Sequence, residues 1–400
     1  MQRIEGGITA PTGFRAAGIA CGITPDKKDL ALIVSDSPAS AAAMFTTNAV
    51  AAAPVVFDRE QLQRSSKISA IVVNSGVANA CTGEQGMKDC RAVAAGAAEL
   101  LSFPPEQVLV CSTGVIGSRL PTGKILNGLG SAAARLSPEH HLEAELAIMT
   151  TDTVPKEYAV QVGSGRGAYR IGAMAKGAGM IKPNMATMLA FLSTDAALDP
   201  AALDRALRQA VNCSFNRMSV DNDTSTNDTV LLLANGQARG AEIPEGTAAF
   251  TSFCDALSSV CIELVKMLVR DGEGSTKLIE IRLANAASEE DALVGARAIA
   301  DSCLVKTAVH GEDPNWGRIV CALGYAGIAL DPEQIQLRLN DVPILGPGFE
   351  ALASRGEARK ALACDTVEIA VDLGIGRHDC TLWTSDLSQE YITINAEYTT

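Results

Sequence analysis

The sequence predicts a mixed α/β fold, and three observations carry that reading. Short apolar runs bounded by turn residues alternate with amphipathic helical patterns over most of the length. The runs are apolar on both parities, as in sheets covered on both faces. The composition, 47% hydrophobic and 20% charged with 35 glycines and only 4% aromatics, fits tight turns and small-residue packing rather than disorder or a fibrous repeat. At 400 residues the chain exceeds one ordinary core, so two or three structural units are expected.

The elements follow in order. Candidate strands are LALIVS (30–35), AIVVNS (70–75), VLVCST (108–113), MLAFLS (188–193), VLLLAN (230–235) and LIEIRL (278–283). Ser137-Pro138-Glu139, Asp199-Pro200 and Asp331-Pro332-Glu333 each put a capping side chain before a proline at the first helical position, so a helix is expected after each. After Asp199, Leu203, Ala206, Leu207, Ala210 and Val211 recur at helical spacing. A longer helix is expected over 246–270, ended by the glycines of Asp271-Gly272-Glu273-Gly274. From 277 a fresh block of strands, two helices (288–302 and 349–361) and a β-rich end reads as a smaller C-terminal domain.

Charge and cysteine usage exclude several classes. A net charge of -13 with no basic cluster offers no footprint for nucleic acid. No run of about 18 apolar residues predicts a membrane span. The opening MQRIEGGITAPTGFRAAG resembles neither a secretory signal nor an organelle import segment, so a cytoplasmic location is expected. Eleven cysteines scattered from Cys21 to Cys380, without a CxxC pair, read as small buried hydrophobes in a reducing compartment, with no metal site.

Several common catalytic and binding motifs are absent from the sequence. GSGRGA (163–168) lacks the third glycine of a dinucleotide fingerprint, and neither a phosphate loop nor G-x-S-x-G occurs. His140 and His141 read as solvated, and a triad on His310 or His378 has no serine marked as its nucleophile. The run Asp221 to Asp228 is rich in oxygen ligands but lacks the central Gly and closing Glu of a calcium loop. It reads as a polar connection lining or buttressing a site. In residues 174–191 a glycine-rich loop with Lys176 runs into Pro183-Asn184, and Thr187 then stands at the mouth of an apolar strand. Residue types alone make that threonine an ordinary β-branched strand opener.

The uninterrupted run KGAGMIKPNMATMLAF (176–191) resembles the signature of the ornithine acetyltransferase (glutamate N-acetyltransferase) family of arginine biosynthesis, including the Ala186-Thr187 pair at which these proteins cleave themselves. Cys111–Gly117, Met149–Thr153, Arg270–Gly274, His310–Arg318 and Asn395–Thr400 resemble the same family. The resemblance implies a layered α-β-β-α sandwich of the N-terminal-nucleophile type. It would be made of an α chain (1–186) and the start of a β chain (187–276), closed by the smaller domain (277–400).

It further implies that Thr187 Oγ attacks the Ala186 carbonyl, and that the freed α-amine, with a reference pKa of about 7.7 to 8.0, becomes the base for its own hydroxyl. The acetyl group of N2-acetyl-L-ornithine would then pass through Thr187 to L-glutamate. Thr113 and Gly114 carry over as oxyanion donors, and Thr150, Lys176, Thr187, Glu273, Asn395 and Thr400 as substrate contacts. Within that set, Lys176 is expected to meet the substrate carboxylate and Glu273 the substrate amine. No cofactor is implied, two α and two β chains are expected to associate, and members differ in whether acetyl-CoA is also a donor. The neighbouring readings are a threonine-nucleophile amidase or aminopeptidase of related fold, and an anion-binding scaffold without the chemistry.

Overall fold

The computed structural model describes residues 1–182 and 188–397, without the side chain of Arg166. Contacts divide the chain into two units, Met1–Asn216 with Asp223–Leu264, and Arg217–Asn222 with the chain from Val265 onward. In chain order the elements are β1 (Gln2–Ile4), β2 (Phe14–Ile19), β3 (Leu30–Phe45), α1 (Ala53–Arg64), β4 (Lys67–Asn74), α2 (Gly83–Leu101), β5 (Val108–Ser112), α3 (Thr122–Ala134), α4 (His141–Ile148), β6 (Glu157–Val162), β7 (Tyr169–Lys176), β8 (Leu189–Thr194) and α5 (Pro200–Asn212). There follow β9 (Met218–Ser219), β10 (Thr229–Ala234) and α6 (Ala248–Arg270), inside which the division falls. The second unit continues with β11 (Leu278–Ala286), α7 (Glu289–Ala300), α8 (Cys303–His310), α9 (Trp316–Gly324), β12 (Gln336–Leu339), β13 (Val342–Gly346), β14 (Glu350–Ala351), α10 (Arg355–Leu362), β15 (Thr366–Asp372), β16 (His378–Ser385) and α11 (Gln389–Glu397).

In the first unit the strand order is β1-β6-β7-β8-β10-β3-β4-β5, with β2 also on β3. The 16-residue β3 joins two arms of this sheet. Its first half pairs with β2 and β4 and its second with β10, and the register against β4 shifts between Val34 and Ala39. Pro38 falls inside that irregularity, where a residue without an N–H costs the ladder nothing. Ile33, Ile71, Val73 and Leu109 of one arm share a buried cluster with Met174, Phe191, Leu231 and Leu233 of the other. On the opposite face of the first arm, Leu32, Val72 and Val110 pack with Val93 and Ala97 of α2 and with Ile125 and Leu129 of α3.

The other arm is covered by α5, which meets β3 and β10. Its buried residues Ala202, Leu203, Ala206, Leu207, Ala210 and Val211 are the expected helical stripe, and each leucine removed from water contributes about 2 kcal/mol. Asp199 caps it by accepting the N–H groups of Ala201 and Ala202, as its place before Pro200 predicts. Helix, sheet, sheet and helix are therefore layered, in agreement with the expected mixed α/β sandwich.

The second unit has the order β14-β13-β12-β15-β11-β16-β9. Ile279, Ile281 and Leu283 of β11 bury against Ala292, Ala296 and Ile299 of α7. The division at Leu264 and Val265 lies within a helix, whereas the domain start read from sequence, 277, adjoins β11. The expected chain boundary at Ala186 and Thr187 lies outside the described residues.

Three element expectations are corrected. After Asp331 only a three-residue 3-10 turn forms, because the following Gln336–Leu339 alternates and buries Leu337 and Leu339 in the sheet, so a period of two prevails. The helix expected over 349–361 begins at Arg355, where Ser354 and Glu357 form a capping box. Ser137 caps a 3-10 turn, Pro138–His140, that leads into α4. The cysteines are free thiols, and Cys90, Cys111, Cys254, Cys261 and Cys380 are buried as expected. Cys81, Cys303, Cys321 and Cys364 are exposed and depart from that reading. Among the described residues no helix is long and apolar enough to cross a membrane.

Candidate active site

Lys176 ends β7 and is only 3% exposed, so its ammonium must find partners inside the protein. Its Nζ donates to Thr150 Oγ1 at 2.7 Å and to Thr113 Oγ1 at 3.2 Å, and stands 3.9 Å from Asp152 Oδ2. Asp152 gathers the surrounding backbone: it accepts the N–H of Thr150 at 3.0 Å, the N–H of Gly177 at 2.6 Å and the Nζ of Lys156 at 2.6 Å. Burial opposes ionisation of this carboxyl, but the Lys176 and Lys156 cations and these hydrogen bonds hold it well below the usual carboxylate range. Lys156 is fully buried, and its N–H reaches Glu145 Oε1 at 3.1 Å. Burial pushes Glu145 in the other direction, well above the usual range. Three short segments, after β5, after α4 and at the end of β7, are thus tied together by one buried set of charges.

Thr113 and Gly114 leave the end of β5 in a turn shaped by amide side chains. Thr113 N–H donates to Asn74 O at 3.0 Å and Val115 N–H to Gly76 O at 3.2 Å. Asn74 accepts from Ser112 Oγ at 2.6 Å and donates to Val77 O at 2.9 Å. Gly114 has φ 129°, and a Cβ there would stand 2.3 Å from the carbonyl carbon of Gly76, so only glycine fits. Among the described residues no acceptor meets the Gly114 N–H. Since Thr113 Oγ1 accepts from Lys176, its own hydrogen is left to donate. Two donors beside a buried ammonium form an arrangement suited to an oxyanion.

The polar run before β10 buttresses the turn after β5. Asn227 Nδ2 donates to Ser112 O at 2.8 Å and to Ala78 O at 2.7 Å, and Thr46 Oγ1 donates to Ser225 O at 2.8 Å. Asp228 Oδ1 accepts the N–H of Met188, the residue before β8, at 2.9 Å. Ala186 and Thr187, the two residues before Met188, lie outside the described residues, as does Thr400.

In the second unit Glu273 follows α6 in the turn that ends it, and Asn395 Nδ2 on α11 donates to Glu273 Oε2 at 2.8 Å. Ser388 Oγ donates to Gly274 O at 2.6 Å. Gly274 has φ 68°, and a Cβ there would stand 2.5 Å from the backbone nitrogen of Tyr391. Asp386 holds the next residues, accepting the N–H groups of Thr276 at 2.8 Å and Lys277 at 2.9 Å.

The profile of the ArgJ family matches residues 15–400. An arginine biosynthesis bifunctional protein ArgJ of Symbiobacterium thermophilum is 49% identical over all of both chains, and its namesake in Caldanaerobacter subterraneus is 46% identical over all of both chains. This chain belongs to the ArgJ family. A solved structure of an ornithine acetyltransferase complexed with ornithine from Mycobacterium tuberculosis is similar at 41% identity, with 46% of this chain and 97% of that one covered and a TM-score of 0.43.

Of the ArgJ-family site residues expected from sequence, the structure brings Thr113, Gly114, Thr150 and Lys176 together in one cluster, and Glu273 and Asn395 in another. Lys176 was expected to face a substrate carboxylate, and its ammonium is engaged by two threonine hydroxyls. Sequence reasoning passed over Asp152, Lys156 and Asn227 as individuals. The signal for Asp152 was present, since it sits in the Met149–Thr153 motif. His141 is not solvated: it is partly buried with Nδ1 2.7 Å from Glu157 Oε2. His310 Nδ1 meets Asp386 Oδ2 at 2.8 Å, but Thr276 Oγ1 donates to the same carboxylate oxygen instead of facing the other ring nitrogen, so the three do not form a triad.

Proposed function

We propose that this ArgJ-family chain cleaves itself between Ala186 and Thr187 and then transfers an acetyl group from N2-acetyl-L-ornithine to L-glutamate through an acetyl ester on Thr187. The single observation that carries the reading is the Lys176 cluster. A buried ammonium bonded to the Thr113 hydroxyl, next to a Gly114 N–H that meets no acceptor among the described residues, is suited to receive negative charge on oxygen. The name shared by the curated relatives, arginine biosynthesis bifunctional protein, supports the same class of chemistry.

Each half-reaction passes through a tetrahedral intermediate whose oxygen takes hydrogen bonds from Thr113 and Gly114. One such donor is worth roughly 3 kcal/mol of barrier. The α-amine of Thr187 accepts the hydroxyl proton as Oγ bonds the acetyl carbon, and returns it to the leaving ornithine amine. Glutamate then attacks the ester by the reverse path. Thr150 and Lys176, with Glu273, Asn395 and Thr400, are assigned to holding the amino-acid substrate, and cleaved chains pair as two α and two β.

Ping-pong kinetics are expected, with parallel reciprocal plots for the two substrates. Labelled acetylornithine should leave its acetyl group on glutamate. Recovery as free acetate, with glutamate ignored, would favour the amidase reading instead. Coenzyme A release with glutamate as acceptor decides whether acetyl-CoA is a second donor.

A further inference from the structure

His310 ends α8, one helical turn after Lys306, and the two share a face that meets the segment leaving β16. Lys306 Nζ donates to Thr384 Oγ1 at 3.1 Å and to Ser385 Oγ at 3.3 Å, and His310 Nδ1 stands 2.8 Å from Asp386 Oδ2. The Asp386 side chain is fully buried, whereas that of His310 is 38% exposed. Burial opposes ionisation of Asp386, but hydrogen bonds from Thr276 and His310 hold its carboxyl below the usual range. A carboxylate only accepts, so Nδ1 of His310 carries the hydrogen. Among the described residues Nε2 meets no partner, and the ring makes its polar contacts through Nδ1 alone, to Asp386 and, at 3.4 Å, to Thr276 Oγ1. An exposed imidazole held in this way contributes little packing, and its main effect falls on the carboxylate.

Asp386 in turn governs the turn that carries Glu273. Its Oδ1 accepts the N–H groups of Thr276 and Lys277, and two residues further on Ser388 Oγ donates to Gly274 O. Glu273 lies between Gly272 and Gly274, so its own backbone supplies little stiffness and its direction depends on these anchors. Asn395 holds the carboxylate tip of Glu273, not its backbone. We propose that His310 is a positioning residue for the amino-acid substrate, fixing through Asp386 the turn that presents Glu273. The inference rests on the assignment of Glu273 to the substrate made above. In this role His310 orients Asp386, Asp386 seats Thr276 and Lys277, and Glu273 is aimed by the residues that follow it.

The test compares steady-state kinetics and thermal melting of the full-length enzyme in wild type, His310→Ala, His310→Asn, Glu273→Gln and the His310→Ala/Glu273→Gln double variant. Asparagine places an amide N–H near the position of Nδ1 and so keeps a donor for Asp386. His310→Ala should raise the KM for acetylornithine on the order of tenfold with kcat within about threefold of wild type, the pattern of lost binding rather than lost chemistry. His310→Asn should bring KM back to within about threefold, and His310→Ala should add little to the KM of Glu273→Gln, because both act through one contact. A wild-type KM in His310→Ala, with or without a lower melting temperature, would overturn the proposal and leave the imidazole a role in the fold alone. Failure of His310→Asn to rescue, or a full further rise in the double variant, would overturn it as well. An unchanged KM in Glu273→Gln would instead sink the assignment of Glu273 to the substrate, an outcome distinct from failure of His310.

Discussion

At the scale of single residues, Gly114 and Lys176 carry the sharpest expectations. A Gly114→Ala chain should lose on the order of 10² in kcat, because the Cβ would displace the Gly76 backbone and swing the N–H away from its target. Steady-state kinetics within a fewfold of wild type would remove Gly114 from the site. Lys176→Met should raise the KM for acetylornithine and also lower the melting temperature, since Asp152 would lose one of its two cations in a buried setting. An unchanged KM would contradict the assignment.

These residues differ in how legible they were. Gly114, Thr113 and Lys176 lie inside runs that the sequence displays whole. Lys156 is an isolated lysine in a polar stretch, and only its zero exposure and contact with Asp152 mark it. No local pattern encodes a partner chosen by tertiary packing.

At the scale of elements, α11 and the turn after α6 act together through Asn395 and Glu273. Deleting residues 395–400 should abolish transfer while leaving the unfolding transition of the remaining chain in place. Gly274→Ala should produce the same phenotype more mildly, since its Cβ would push against the backbone of Tyr391. Full activity in either variant, measured as glutamate acetylation, would separate the C-terminal helix from the site. Elements themselves were readable where one period dominated. The helical stripe of α5 and its Asp199 cap agree with each other, so local propensity and packing gave the same answer. The proline signal at Asp331 failed because a competing two-residue alternation buried Leu337 and Leu339. The long β3 was seen only in its first half, since Ser35–Pro38 look like a loop until β10 pairs beyond them.

At the scale of the whole molecule, buried acids set the pH response. Burial raises Asp58 well above the usual carboxylate range, with the Val110 N–H and the Cys111 thiol lowering it less. In the unfolded chain it ionises near pH 4, so above that pH the folded chain holds the extra proton and stability falls as pH rises toward the folded value. Asp152 acts oppositely: its carboxyl is held low, so its contribution is present above about pH 4 and lost as pH falls through the folded value. An Asp58→Asn chain should therefore lose less melting temperature than wild type between about pH 5 and pH 8, and an equal or larger loss would contradict the sign.

The chemistry turns on one peptide bond, and the mass of the purified protein reads it directly. Active wild-type enzyme should consist of two chains, one ending at residue 186 and one beginning at 187, while Thr187→Ala should remain a single chain without transfer activity. Fully active protein with that bond intact, or transfer by the alanine variant, would contradict it.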